Sequence, residues 1–445
     1  MRGRNLLIWI PAGLALCVLV YYLPPVHTRL SGRVSLLRER ITYAINPPDE
    51  ALFVPEEDAR QEAILQATQL ASTPSATLSP TDVPETPMPT FTQTITPTAL
   101  PERVELVGVV YVDQHNRWNY CGPANLSMAL NFWGWSGNRD TIARAIKPGV
   151  NDDDLEFIDR GRTDKNVMPY EMAGFVLDET DYGVVMRNGG DIEMVKNFIA
   201  NGFPVLIEKG YYEADYTGKV GWLGHYQFVT GYDEGEGSFI VQDAYLEPGE
   251  DLMLSYEKFI EGWRSFNYLF MVIYPPEREA EVFELMGPWI DPNWANQRAL
   301  ETALVESAEL EGIDQFFAWF NQGSSYTSLL DYGNAGLAFD QAFLLYAELG
   351  DDDTQRPYRI MWYQTGPYWA YFYTGRYQDV IDLADTTLYD TVAEPTLEES
   401  LYWRGRAREV LGDLNGAIAD YLESVRLNMF FDAAWEQLNR LGVSP

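Results

Sequence analysis

An apolar run without a charge, LLIWIPAGLALCVLVYYL at residues 6–23, spans 18 positions. That is just enough to cross the hydrocarbon core of a bilayer. Further on the pattern becomes mixed. The stretch VELVGVVYV (104–112) predicts a strand or an extended lead-in. After Pro123, Leu126, Ala129, Leu130 and Trp133 recur at helical spacing, and Gly134 is the stop. HYQFVTGY (225–232) and SFIVQDAY (238–245) predict two strands joined by the turn-forming DEGEG (233–237). SYEKFIEGW (255–263) predicts a helix, as does the segment after Pro169 with Glu171 in its first turn. Pro275-Pro276 closes this mixed region, and from about 297 the pattern is helical with few strand signals.

Arg2 and Arg4 precede the apolar run, as in the positive region of a signal peptide. We expect an uncleaved signal anchor. The alternatives are a cleaved signal and a lipoprotein signal ending LALC at Cys17. Residues 24–71 include a possible helix near 29–45. Residues 72–101 contain 19 Ser, Thr or Pro among 30 positions, a composition that buries no core and stays extended. The expected organisation is a membrane anchor (1–28), a juxtamembrane segment (29–71), a Thr/Pro-rich linker (72–102), a mixed domain (103–277) and a helical domain (280–445). A Thr/Pro stalk of this kind typically holds a folded domain outside a membrane, so the expected location is the cell membrane, single-pass, with the folded domains extracytoplasmic.

Charge narrows the chemistry. The formal net charge is -35. Residues 1–40 hold six Arg and one Glu, so +5, and the other 405 residues carry -40. Such a body repels phosphate backbones and argues against nucleic acid as a partner. The chain has two Cys, Cys17 and Cys121, and three His, His27, His115 and His225. One cysteine in the folded part makes no intramolecular disulfide framework. CxxC zinc sites and HExxH are absent. NDDD (151–154) and GDDD (350–353) lack the alternating carboxylates of a calcium loop and predict turns or caps. No cofactor and no metal are expected.

Cys121 falls at or just before a helix amino terminus. Unpaired N–H groups and the macrodipole there favour a thiolate. A buried inert thiol is the other reading. If the hairpin loop centres on Gly235, paired positions sum to about 470. His225 then opposes Tyr245, and Asp243 is its diagonal neighbour, about 7–8 Å away by backbone and within reach of long side chains. Asp243 then holds one imidazole nitrogen while the other faces Cys121; the plainer reading of Asp243 is a strand-end carboxylate in a turn. His115, on the loop entering the helix, is a rival base. GYYEADYTGKVGWLG (209–223) offers Tyr211, Tyr212, Tyr216 and Trp222 as cleft walls or as ordinary loop packing.

Gln114, then Cys121-Gly122-Pro123-Ala124, Gly224-His225, Gly231-Tyr232-Asp233 and Asp243 together resemble a papain-like cysteine peptidase. The likeness is to the bacteriocin-processing, double-glycine peptidases and their stand-alone relatives, over about 175 residues in matching order. The resemblance implies an α+β fold with a Cys-bearing helix packed on an antiparallel sheet that carries His and Asp. By position it makes Cys121 the nucleophile, His225 the base and acid, and Asp243 the group that orients His225. Gln114, with the Cys121 backbone N–H, supplies the oxyanion hole. Gln114 stands seven residues before Cys121 where six is common, so His115 or Asn116 are alternatives for that donor.

In the carboxy-terminal part, Gly405, Gly412, Ala417 and Tyr421 fall at offsets that resemble a tetratricopeptide repeat, with an earlier copy at Gly375, Val380 and Ala384. The resemblance implies an all-α repeat domain with a surface for a protein or peptide partner. MWYQTGPYWAYFYTGRY (361–377) either lines that surface or fills helix-pair cores. No GxxxxGK[ST] is present, so transport-coupled leader processing is not implied. The leading expectation is a membrane-tethered cysteine peptidase or amidase acting on a peptide or protein substrate. The alternatives are an inactive papain-like binding module and an acyl transferase on the same fold.

Overall fold

A computed structural model describes residues 53–72, 100–115, 117, 119–147, 166–214, 220–349, 356–390 and 397–443. The apolar run 6–23, the segment 29–45, most of the Thr/Pro stretch and the two acidic runs lie outside the described residues. Among the described residues no helix is long and apolar enough to cross a membrane.

The mixed region is one seven-stranded antiparallel sheet: β1 (Arg103–Glu105), β2 (Gly183–Arg187), β3 (Val205–Ala214), β4 (Val220–Asp233), β5 (Ser238–Gln242), β6 (Leu252–Ser255) and β7 (Phe270–Tyr274). The order is β2-β7-β3-β4-β5-β6, with β1 also paired to β4. Every residue of β5 and β7 is buried, which is why SFIVQ and FMVIY read as continuous runs.

On β3 and β4 the apolar side chains alternate between two faces. Leu206, Tyr226 and Phe228 meet α2 (Cys121–Phe132) and α4 (Pro169–Glu179), which supply Ala124, Leu126, Leu130, Met172, Phe175 and Val176. α3 (Arg139–Ile146) packs beside them. Val205, Ile207 and Val229 meet α5 (Ile192–Ala200) and α6 (Tyr256–Arg264) through Phe198, Phe259 and Trp263. The β4–β5 register is Phe228↔Gln242 and Val229↔Val241, then slips by one residue at a bulge to Gly231↔Ile240. Gly231 sits there because a Cβ would lie 2.6 Å from the Val104 carbonyl oxygen of β1.

After β7 the described chain is helical: α7 (Glu279–Met286), α8 (Pro292–Glu309), α9 (Gly312–Ser328), α10 (Tyr332–Glu348), α11 (Gly366–Tyr373), α12 (Tyr377–Asp385), α13 (Glu398–Val410), α14 (Leu414–Leu427) and α15 (Asp432–Arg440). Val282 and Met286 of α7 belong to the core under the sheet, so that core continues past Pro275-Pro276. Gly375 and Gly412, 37 positions apart, follow α11 and α13 with φ +80° and +92°, a backbone that glycine adopts without a Cβ penalty. Of the aromatic stretch, Met361, Tyr368, Tyr371 and Phe372 are buried, whereas Trp369 and Tyr373 are exposed.

Aromatic contacts help to tie the helical region to the rest of the described chain. Trp222 of β4 is 1% exposed and stacks on Phe266 at 5.6 Å between centroids; Phe317 of α9 and Tyr363, just before α11, each lie 5.7 Å from it. Upstream of α1 (Glu57–Ser72), Phe53 is buried against Phe343 of α10 at 5.1 Å and Tyr371 of α11 at 6.0 Å.

Candidate active site

Cys121 is the first residue of α2. Its position follows from a gap in the sheet. β5 ends at Gln242, so β4 upstream of Phe228 has no β5 partner. The amino end of α2 occupies that gap. Asn125 Nδ2 donates to the Tyr226 carbonyl at 3.0 Å and to the Cys121 carbonyl at 2.9 Å. Tyr120, the residue before the helix, offers no side-chain cap. The positive end of the helix therefore faces whatever anion Cys121 provides. The thiol itself is half-buried and free.

His225 lies on β4 beside this helix end. Its Nε2 is 2.9 Å from Asp243 Oδ1, and both residues are almost fully buried. The other ring nitrogen is left for the thiol, which lies close enough for the two groups to shift each other's pKa. Asp243 is the first residue after β5. Its Oδ1 also accepts from the backbone N–H of Tyr245 (2.9 Å) and Leu246 (3.1 Å), and its Oδ2 from Gln227 Nε2 (2.6 Å). Its own N–H donates to Gly249 at 2.7 Å. Residue 249 has to be glycine, because a Cβ would stand 2.0 Å from the Asp243 carbonyl oxygen.

These contacts set the protonation states. Burial alone would lower the His225 pKa, but the Asp243 charge, its hydrogen bond and the Cys121 thiol outweigh burial and push it up to about 10. Burial would raise the Asp243 pKa, yet His225, Gln227 and the Tyr245 N–H hold it well below the usual carboxylate range. Burial likewise opposes ionisation of Cys121. The His225 hydrogen bond and charge, the Tyr226 N–H and the Lys147 charge prevail and lower its pKa. The arrangement thus favours a thiolate–imidazolium pair braced by an ionised carboxylate.

The other described residues singled out from the sequence are placed differently. Gln114 donates its backbone N–H to the Ala244 carbonyl at 2.7 Å, next to Asp243, and its carboxamide oxygen is buried without a partner. His115 does not face the thiol: its Nε2 is engaged by the Tyr245 carbonyl at 3.0 Å. Asn116 and Tyr216 lie outside the described residues. Tyr211 packs edge-on against His225 at 5.4 Å. Tyr212 and Trp222 instead face the helical region. Among the described residues no cluster of His, Cys, Asp and Glu could hold a metal.

Sequence reasoning missed four participants. Gln227 was within reach of it, because a pairing sum of 470 sets Gln227 directly opposite Asp243. Lys147 is 1% exposed, donates to the Asn119 carbonyl at 2.8 Å and adds its charge at Cys121. Glu208 of β3 pairs with Tyr226 and is 2% exposed; its one signal was a lone carboxylate inside VLIEKG. Tyr363 reaches Gly224 from the helical region, 2.8 Å from where a Cβ would stand, and nothing local marked it.

Comparison with known proteins bears on residues 106–271, which match a family model described as Peptidase_C39 like family. Two solved structures resemble the chain. One is a putative C39-like peptidase from Bacillus anthracis, 19% identical, covering 39% of this chain and 98% of that one, with a TM-score of 0.31. The other is Xylellain, a cysteine protease from Xylella fastidiosa, 20% identical, covering 40% and 87%, with a TM-score of 0.27. No curated protein matches. Residues 106–271 of this chain are therefore similar to the Peptidase_C39-like family, in an α+β region followed by a helical carboxy-terminal region.

Proposed function

We propose that the chain hydrolyses peptide or related amide bonds through Cys121, His225 and Asp243. One observation carries this reading: His225 bridges a thiol at a helix amino end and a buried carboxylate held at 2.9 Å. The Cys121 thiolate attacks the substrate carbonyl and forms an S–C bond. The oxyanion is met by the Cys121 backbone N–H and by the Gln114 carboxamide, each such donor typically contributing ~3–4 kcal/mol in the transition state. The C–N bond then breaks as the His225 imidazolium delivers its proton to the leaving amine. A water that gives its proton to His225 opens the thioester and releases the acid. Asp243 holds the imidazole plane throughout and stays ionised.

Residues 6–23 are assigned the part of a tether, with the folded part on the extracytoplasmic side. The helices α11–α14 are assigned a repeat scaffold that positions a peptide or protein.

The test uses the chain with Cys17→Ser, which leaves one thiol. Its alkylation by iodoacetamide is followed against pH. Fast reaction at pH 6 that slows on His225→Ala supports the reading. A profile like that of a free thiol, near ~8.5 and indifferent to His225, overturns it.

A further inference from the structure

A cleft of about 320 Å³ is lined by residues of both the sheet and the helical region, and Glu208 in its wall lies close enough to Cys121 for the two charges to interact. Its volume places the cleft at the small end of ligand sites, roughly 300–1,000 Å³. Glu208 of β3 lines it, as do Tyr170 of α4, Tyr363 and Trp369 on the helical side, and Thr327 and Ser328 of α9. The walls are therefore aromatic and hydroxylic, and the one carboxylate that lines the cleft is nearly inaccessible. Among the described residues Glu208 makes no ion pair. Tyr226, its neighbour across the β3–β4 pair, donates its hydroxyl to the Val167 carbonyl at 2.9 Å. Tyr170 and Trp369 are 49% and 39% exposed, so the cleft has an open aromatic mouth.

We propose that Glu208 at the inner end of this aromatic cleft selects substrates that carry a lysine or arginine side chain close to the bond that is cleaved. The inference rests on Cys121 being the nucleophile. A buried carboxylate without a cation is costly, and a cation entering from the substrate removes that cost. Aromatic faces receive the stem and head of such a side chain. The acidic body draws basic peptides towards it. Burial, and after it the Cys121 charge, push the Glu208 carboxyl well above the carboxylate range; the Tyr226 hydroxyl opposes this more weakly. The titratable groups facing Glu208 are Cys121 from α2, Tyr226 from β4 and Tyr363 from the segment before α11. None is cationic. A bound cation favours the carboxylate form of Glu208 and so favours release of a proton on binding.

The probes are acetyl-tetrapeptide aldehydes with Arg, Leu or Glu at one position at a time. They are ranked by how well they protect Cys121 from iodoacetamide in the full chain with Cys17→Ser. At one position the Arg peptide is expected to protect at about tenfold lower concentration than the Leu peptide, and the Glu peptide least well. In Glu208→Gln the Arg–Leu difference falls to about twofold or less while the Leu peptide is unchanged. Calorimetry of the unmutated site in two buffers of different ionisation enthalpy gives a second readout. Proton release is expected with the Arg peptide and not with the Leu peptide. Equal protection by Arg and Leu, a preference that survives Glu208→Gln, or no proton release overturns the inference. A thiol that is slow at pH 6 and indifferent to His225 overturns instead the reading beneath it.

Discussion

Gln227 Nε2 donates to Asp243 Oδ2 at 2.6 Å, on the side of the carboxylate opposite His225. The two residues lie one position beyond the last β4–β5 pair, Phe228↔Gln242, and Gln227 is buried. It fills the acceptor site of Asp243 that His225 and the turn N–H groups leave open. Gln227→Met keeps the bulk and removes the donor. Leaving that buried acceptor unpaired is expected to cost about 1–3 kcal/mol of stability, read as a shift in the denaturant midpoint. A positioning role adds a second signature: the alkaline limb of activity moves down from about 10. Lost stability with an unmoved limb would make Gln227 a packing residue only.

The pH dependence has a definite sign. Asp243 is held below its usual range, so its contribution to stability is present above the unfolded value of about 3.9 and is lost as pH falls through its folded pKa. His225 is raised, so its contribution is full below about 6.5 and is lost as pH rises towards about 10. Thermal unfolding scanned from pH 3 to 10 is expected to show a broad maximum between these limits. Asp243→Asn is expected to flatten both flanks. Hydrolysis requires the imidazolium, so its alkaline limb is expected near 10; a limb near 6.5 would contradict the pairing.

Gly224 precedes His225 beneath the helical region. A Cβ there would lie 2.7 Å from Cζ of the buried Phe266 ring and 2.8 Å from Cδ1 of the half-buried Tyr363 ring, neither a flexible end that could swing away. Gly224→Ala is therefore expected to destabilise the chain by about 1–3 kcal/mol, as overpacking does. It is also expected to slow Cys121 alkylation at pH 6, because the strain is relieved through the adjacent His225. Tyr363→Leu in the same background frees the space and is expected to restore part of both. Absence of any rescue would place the strain elsewhere.

In the helical region Arg376 bonds Asp340 at 2.8 Å and Asp379 at 2.6 Å, and all three are buried. The Tyr371 hydroxyl donates to Asp340 at 2.9 Å. Asp340→Ala leaves the guanidinium short of a counter-charge and is expected to cost about 3–5 kcal/mol, measured by urea unfolding. Replacing Asp340 and Tyr371 together by apolar residues is expected to cost less than the sum of the two single changes.

What the sequence made legible follows the range of the interactions involved. Cys121 at a helix start was readable because Pro123 and the spacing of Leu126, Ala129 and Leu130 are local. The meeting of His225 and Asp243 was readable because a short hairpin fixes its own register. The bulge at 229–231 falls beyond the pairs nearest the site, so it did not spoil that inference. His115, the rival base, could be set aside only when the Tyr245 carbonyl was found on its ring nitrogen. Glu208 and Tyr363 were not legible. Their proximity to Cys121 arises where strands, α4 and the helical region converge, and nothing in a local pattern encodes that. The docking of Phe53 on α10 and α11 is of the same long-range kind.

That docking decides how the molecule carries load. Phe53 and the Glu56 N–H, which donates to Asp379 at 3.3 Å, clamp the chain to the helices before residues 73–99 begin. The 27 residues from 73 to 99 could span at most roughly 90 Å as an extended chain. Tension applied upstream of Phe53 therefore reaches α10 and α11 first. A cut anywhere in 73–99 is therefore expected to leave the two pieces attached until the Phe53 clamp itself gives way.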